Sequence, residues 1–184
     1  MVSRKNKNKK IKKLIGLDIS EKMIELAKIR CKRLKNVEFY CGNMENTSFG
    51  NNIFDVCVII DALHHVPNLI KTIEEMKRIG KTLILSEPNA LNPIRRPNKL
   101  KFRNEGVKEI SFYKWQLMMS LTKAGYNDVS IYHQHFIPGF IPDPFFKFFV
   151  KIEPLIAKII NNFSGSLLIF ATDHHTVISS QDNS

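Results

Sequence analysis

The chain has 184 residues, of which 43% are hydrophobic and 24% are charged, and this composition excludes a wholly disordered protein. At roughly 150 residues per domain, the length predicts one domain. The formal net charge is +11, from 28 Lys and Arg against 17 Asp and Glu. Seven of those bases and no acid lie in residues 1–13, so much of the excess is predicted to belong to a disordered basic tail.

The cysteines and the chain termini predict a soluble cytoplasmic protein. Cys31, Cys41 and Cys57 form no C-x-x-C pair and lie mostly in apolar runs, which favours free thiols in a reducing compartment. The basic N-terminus lacks the apolar stretch of a signal peptide. No run reaches the ~18 apolar residues that a membrane span needs.

In the first half of the chain, apolar runs alternate with helical patterns, which is typical of parallel strands covered by helices. The predicted elements are a strand at 14–17 ending at Asp18, a helix capped by Ser20 and reaching about Arg33, an alternating strand at 37–41, and an apolar strand at 54–60. Met23, Ile24, Ala27 and Cys31 are predicted to share the packed face of that helix. The run at 54–60 is nearly unbroken, so we expect it to be buried on both faces.

The second half continues the alternation after a long loop. Its predicted elements are a helix at about 68–78, a strand at 82–86, a loop at 87–109, a helix capped by Ser111 and closed by Gly125, and strands at 129–136 and 166–172. A loop of that length inside a domain is usually functional or partly disordered. The predicted α/β domain covers residues 14–175, and residues 176–184 are predicted to be a frayed end.

Residues 136–160 form a separate aromatic-rich segment. Its apolar residues fall on one helical stripe, which comprises Phe145, Phe148, Phe149, Ile152, Ile156 and Ile159. The stripe favours a helix packed on the domain; the alternatives are a lid over an apolar substrate and a helix in peripheral contact with a membrane surface. The prolines of this segment exclude a straight spanning helix.

Four predicted strands end in polar residues, namely Asp18, Asn43, Asp61 and Glu87. In an open parallel sheet, ligands bind at the carboxyl ends of the strands. In a nucleotide-binding half, an acid that ends the second strand is placed to accept both ribose hydroxyls, and an amide or acid that ends the third can meet an adenine amine. Together, the four residues predict a polar rim around a ligand.

Three segments resemble the class I S-adenosylmethionine-dependent methyltransferases, particularly those that act on small molecules. They are LIGLDISEKMIELAK, NVEFYCGNMENTSFGNNIFDVCVIIDALHHV and LILSEPNALNPIRRP. The resemblance implies a Rossmann-like, doubly wound and mostly parallel sheet with helices on both faces. It also implies S-adenosylmethionine as the cofactor and methyl transfer to a small or apolar acceptor.

The resemblance further implies roles for individual residues. Asp18 would bind the ribose hydroxyls, Ile19 would flank the adenine, and Asn43 with Met44 would lie at the adenine edge. Asp61 and the residues after it would lie near the transferable methyl group. His64 and His65 are the candidate bases for an acceptor that must lose a proton, and the alternative is that one of them packs or hydrogen-bonds at the strand-to-helix turn. Arg95 and Arg96 are candidates for binding an anionic acceptor.

One element of the family pattern is missing from the sequence. A glycine-rich loop normally lies about 20 residues before the ribose-binding acid, yet no G-x-G occurs in this chain. We therefore expect the fold to be N-terminally incomplete by roughly one strand–loop–helix unit. Such a chain is either a shortened methyltransferase or a non-catalytic remnant that acts as a binding or interaction module.

Nucleic-acid binding and metal binding have weaker support in the sequence. The basic tail could attract nucleic acid, but the remaining sequence is nearly balanced in charge, so nucleic-acid binding is not expected. His133 and His135 would share one face of a strand, and His174 with His175 lies near the C-terminus, but spacing fixes no third ligand. No metal site is therefore predicted, and the sequence leaves the oligomeric state undetermined.

Overall fold

A computed structural model of the chain describes residues 11–92, 111–134, 151 and 164–173. The chain divides into two compact units, residues 1–47 and residues 48–184. The elements of the first unit are β1 (Leu14–Asp18), α1 (Glu21–Arg30) and β2 (Val37–Cys41). Those of the second are β3 (Phe54–Ile60), a 3₁₀ turn (Leu63–His65), α2 (Leu69–Ile79), β4 (Gly80–Pro88), α3 (Lys114–Lys123), β5 (Asp128–Gln134) and β6 (Ser166–Thr172).

In the first unit, β1 and β2 pair in parallel, with Leu14 opposite Val37 and Asp18 opposite Cys41. The connecting helix α1 begins after Ser20, whose hydroxyl oxygen accepts a hydrogen bond from the Met23 backbone N–H. This confirms the predicted cap. The helix ends at Arg30, three residues before the predicted end. Ile24 is buried, but Met23 is 51% exposed, so the prediction that Met23 lies on a packed face was wrong.

The second unit contains a four-stranded sheet in the order β3-β4-β6-β5. β3 pairs with β4 in parallel, whereas β6 pairs antiparallel with both β4 and β5. Three of these four strands therefore run in one direction, as a mostly parallel Rossmann-like sheet requires. Among the described strands, β1 and β3 belong to different sheets, and each has one paired neighbour.

The core of the second unit lies on one face of its sheet. The alternating residues Leu83 and Leu85 of β4 are fully buried, as is Ile169 of β6, and α2 covers them with Ile73. On the opposite face, the side chains of β3 are between 46% and 64% exposed, namely Val56, Val58 and Ile60. The prediction that β3 is buried on both faces was therefore wrong for the described part of the chain.

The two helices of the second unit differ in how they begin. Asn68 caps α2, since its side-chain oxygen accepts from the Lys71 backbone N–H. Ser111 does not cap α3 as predicted; the N-cap residue is Tyr113, whose backbone N–H donates to Gln116 Oε1. The Ser111 hydroxyl is instead buried without a hydrogen-bond partner among the described residues. Gly125 ends α3 with a φ of 89°, the left-handed conformation that suits glycine.

Candidate functional site

The carboxyl ends of β1 and β2 bring together Asp18, Ile19, Asn43 and Met44, and these four residues are called the β1–β2 cluster. The parallel pairing places the two strand ends side by side, and the Gly42 backbone N–H donates to the Asp18 carbonyl oxygen at 2.9 Å. The Cys41 thiol adds a second link, since it donates to the Ile19 carbonyl oxygen at 3.4 Å. The residues that the sequence assigned to one ligand are therefore neighbours.

The side chains of the β1–β2 cluster are held by short local hydrogen bonds. Asp18 Oδ1 accepts from the Ser20 backbone N–H, and Asn43 Oδ1 accepts from the Glu45 backbone N–H, both at 2.8 Å. Within the described residues, Asp18 Oδ2 has no hydrogen-bond partner. Ile19 is 75% exposed next to it. A carboxylate oxygen beside an exposed apolar side chain fits a ribose hydroxyl and an adenine face, so these residues suit the nucleoside part of S-adenosylmethionine.

A second group of predicted site residues follows β3, and residues 61–65 are called the β3 loop. Asp61 is exposed, and its φ of 48° lies in the left-handed region, which a non-glycine residue adopts at a cost in free energy. Its backbone N–H donates to the Ser86 carbonyl oxygen at 2.8 Å. Leu63 is 1% exposed and anchors the 3₁₀ turn in the core.

Glu87 holds the β3 loop, a role that differs from its predicted place on an open polar rim. Its side chain is 0% exposed. Oε1 accepts hydrogen bonds from the backbone N–H groups of Ala62 at 3.0 Å and Leu63 at 2.7 Å. Oε2 lies 2.9 Å from His64 Nδ1. A buried carboxylate needs such donors, because burying a carboxylate without hydrogen-bond partners costs roughly several kcal/mol of stability.

A sequence signal for this burial existed in the alternation of β4. Leu83, Leu85 and Glu87 all point to the buried face, since the strand continues to Pro88 and does not stop at Ser86 as predicted. An acid on the inward side of an apolar strand requires buried donors. The positions of those donors, in a loop 23 to 25 residues earlier, are set by tertiary structure.

The two histidines of the β3 loop have different environments. The His64 side chain is 8% exposed and faces Glu87, which agrees with the alternative that one histidine hydrogen-bonds at the turn. His65 is exposed, and its ring centroid lies 4.1 Å from that of His64, with the planes tilted by 44°. The two rings are therefore in contact, while Glu87 is paired with His64.

The other candidate residues are placed as follows. Arg95 and Arg96 lie outside the described residues, as do His135, His174 and His175. His133 Nδ1 lies 3.0 Å from Ser164 Oγ, and burial, followed by the charge of Lys114, lowers the pKa of His133. In the described ranges, no three His, Cys, Asp or Glu side chains are arranged to hold a metal ion. Nor does any helix in these ranges have the length and apolarity needed to cross a membrane.

A shallow polar depression occurs elsewhere in the second unit. It is lined by Asn51, Asn52, Glu74, Lys77, Arg78 and Asp173. Lys77 and Asp173 are paired at 3.0 Å, and Arg78 is paired with Glu75 at 2.7 Å, so much of the charge at this surface is neutralised. None of the predicted site residues lines this depression.

The known proteins that are similar to this chain are methyltransferases. Residues 2–82 match the family model described as a methyltransferase domain. An uncharacterized methyltransferase of Bacillus subtilis, YcgJ, is 28% identical over 65% of this chain and 51% of its own length. A demethylmenaquinone methyltransferase of Lactococcus lactis is 33% identical over 56% of this chain and 46% of its own. The chain thus spans about half the length of these curated relatives.

A solved structure supports the fold. The crystal structure of a SAM-dependent methyltransferase from Thermotoga maritima is 18% identical in sequence, with a TM-score of 0.66. The similarity covers 88% of this chain and 73% of that one. The Rossmann-like architecture is therefore shared.

Proposed function

We propose that this chain is a class I S-adenosylmethionine-dependent methyltransferase that serves in the transfer of a methyl group to a small or apolar acceptor. S-adenosylmethionine, the cofactor that the family implies, supplies a methyl group already activated by its positive sulfur. The protein's contribution is then mainly to bind and orient the two reactants. The similarity to a demethylmenaquinone methyltransferase supports an acceptor with an apolar body.

The main structural support for this proposal is the arrangement of the β1–β2 cluster. Asp18 stands at the end of a parallel strand with one carboxylate oxygen bonded to Ser20 and the other without a partner among the described residues. Its proposed role is to accept the ribose hydroxyls, while Ile19 packs on the adenine and Asn43 with Met44 contacts the adenine edge. Asp61 is proposed to line the site near the methyl group, as the family resemblance implies.

Binding of S-adenosylmethionine to the full chain, measured by isothermal titration calorimetry, tests the proposal. Asp18→Asn should weaken binding ~10–100-fold, because a hydrogen bond to a charged group contributes about 1.5–3 kcal/mol. Glu25→Gln is the matched control, since it removes one exposed negative charge from the same unit without touching the cluster. Equal affinity of wild type and Asp18→Asn would remove Asp18 from the site.

Methyl transfer is then measured directly, with radiolabelled S-adenosylmethionine and a demethylated quinol as the acceptor probe. We expect label in the quinol with wild type and much less with Asp18→Asn at limiting cofactor. Binding of S-adenosylmethionine without transfer to any quinol, phenol or amine probe would favour the alternative of a non-catalytic binding module. Absence of any binding would overturn the proposal.

A further inference from the structure

The two carboxylate oxygens of Glu87 face different groups of the β3 loop. Oε1 takes both backbone donors, Ala62 N–H and Leu63 N–H. Oε2 is left for the ring of His64. Because the carboxylate has no proton of its own to offer when ionised, each of the three groups that face it must be a donor.

This division fixes where the proton of a neutral His64 ring sits. Nδ1 faces Oε2 at 2.9 Å and must carry the proton to make a hydrogen bond. The proton is then absent from Nε2, whose lone pair is left to accept. Burial strengthens the preference, since the Glu87 side chain is 0% exposed and that of His64 is 8% exposed.

The same carboxylate also stabilises the unusual backbone that carries these residues. The left-handed Asp61 is followed directly by the two backbone N–H groups that donate to Oε1. On the other side, Asp61 N–H donates to the Ser86 carbonyl, one residue before Glu87. The end of β4 thus determines both the path of the β3 loop and the orientation of the His64 ring.

We infer that Glu87 is a positioning residue that presents His64 Nε2 as the base for a methyl acceptor that must lose a proton. This inference rests on the proposed function and narrows its acceptor to a protic group, namely a hydroxyl, an amine or an acidic carbon. A lone pair of an oxygen or nitrogen acceptor, or the electron pair of the broken C–H bond of a carbon acceptor, forms the bond to the methyl carbon. The electron pair of the broken carbon–sulfur bond stays on sulfur, and the acceptor proton moves to Nε2. Glu87 then faces the imidazolium that results.

His65, the second histidine of the β3 loop, has no orienting carboxylate among the described residues. His65 is exposed, and its ring contacts the His64 ring with the two planes tilted by 44°. Within the described residues, no carboxylate accepts a hydrogen bond from it. General bases in proteins are typically oriented by a third group, and Glu87 supplies that group to His64.

The first test determines which ring nitrogen of His64 carries the proton, and it does not require enzymatic turnover. Long-range proton–nitrogen NMR of the imidazole ring should show the Nδ1–H form of His64 in the wild-type chain. In Glu87→Gln, the amide oxygen takes the two backbone donors and the amide N–H₂ faces Nδ1, so the ring should switch to the Nε2–H form. Glu75→Gln is the matched control, because Glu75 is a buried glutamate of the same unit whose side chain pairs with Arg78.

The second test separates proton removal from loop geometry, using saturating S-adenosylmethionine and two acceptor probes. Glu87→Gln should lower kcat at least ~10²-fold for a phenol or quinol, the typical contribution of a general base. It should leave kcat for a tertiary amine, which has no proton to lose, within about twofold of wild type. The Kd for S-adenosylmethionine should also stay within about twofold.

His64→Asn is a second variant, which tests the same step if Glu87→Gln does not fold. His64→Asn keeps an N–H donor near the position of Nδ1 but has no atom at Nε2, so it should fold, bind S-adenosylmethionine and lose transfer to the phenol alone. An Nε2–H ring in wild type, or an equal loss for both probes, would overturn the inference. Failure of wild type to transfer methyl to any probe would instead count against the proposed function, and the NMR result would still decide the role of Glu87 in fixing the ring.

Discussion

The β1–β2 cluster and the β3 loop both follow parallel strands, but they are held in place by different kinds of contact. In the cluster, the Asp18 and Asn43 side chains each accept from a backbone N–H two residues later. In the loop, Glu87 reaches residues 23 to 25 positions earlier and does so from a fully buried site. The cluster therefore depends mainly on local sequence, whereas the loop forms only when β4 is in place.

The units that carry these two groups also differ in their cores. Among the described residues, Ile24 is the one buried hydrophobic residue of the first unit, and the other fifteen belong to the second. Small units bury a smaller fraction of their surface and gain less stability from it. We therefore expect the first unit to open more readily than the second, and the following predictions test that contrast.

The largest effect is expected from Glu87→Ala, which leaves two backbone donors and the His64 ring without their buried acceptor. We expect the free energy of unfolding of the second unit to fall by ~3–5 kcal/mol, as for other buried charged pairs that lose one partner. Urea denaturation followed by circular dichroism measures this change. A loss below ~1 kcal/mol would mean that water replaces the carboxylate and that the loop is not held as described.

Truncation of one core residue in each unit tests whether the units open separately. Ile73→Ala should cost ~3–4 kcal/mol, because Ile73 is 0% exposed, and Ile24→Ala should cost ~2 kcal/mol. Hydrogen exchange read by mass spectrometry locates the effect. Ile24→Ala should accelerate exchange in residues 11–47 only; faster exchange in both units would show that they open together.

Alkaline pH should weaken the second unit through Cys57. Burial raises the pKa of this thiol from 9.0 to about 11, and the thiol donates to the Met76 carbonyl. Below pH 9 both the folded and the unfolded chain keep the proton, so stability is complete. Between pH 9 and about 11 only the unfolded chain loses it, so the free energy of unfolding should fall by ~2 kcal/mol.

Tyr126 acts in the same direction, since burial and the neighbouring Cys57 and Asp173 raise its pKa. Urea denaturation at pH 8 and pH 10.5, compared between wild type and Cys57→Ala, isolates the contribution of the thiol. The variant should show a smaller fall over this range. Identical falls would assign the pH dependence to other groups.

The smallest effect, and one of opposite sign, is expected at Asp61. Its φ of 48° suits glycine better than aspartate, so Asp61→Gly should raise the free energy of unfolding by about 0.5–1 kcal/mol. Asp61→Ala, which keeps a Cβ, should lower it. If Asp61→Gly is stabilised yet loses methyl transfer, the aspartate is retained for function at a cost in stability.

Some of the strands and helix caps predicted from the sequence agree with the structure, and others do not. The predicted strands at 37–41, 54–60 and 166–172 are confirmed, because apolar runs bounded by turn residues are local signals. Ser20 is confirmed as a helix cap for the same reason. The cap at Ser111 was wrong, because the neighbouring residues offered a competing start at Tyr113. Burial of β3 on both faces was also wrong, because an apolar run does not specify what packs against each face.

For the site, the sequence by itself determined which residues end the strands and which family the chain resembles. Asp18, Asn43 and Asp61 were predicted as residues that follow strands in this way, since a turn residue after an apolar run is visible locally; their roles in a site stay a prediction. The tertiary structure alone decided that Glu87 is paired with His64 and with the backbone of the β3 loop, because these partners lie more than 20 residues away. A hydrogen bond between distant segments depends on how β4 packs beside β3, and no local pattern encodes that register.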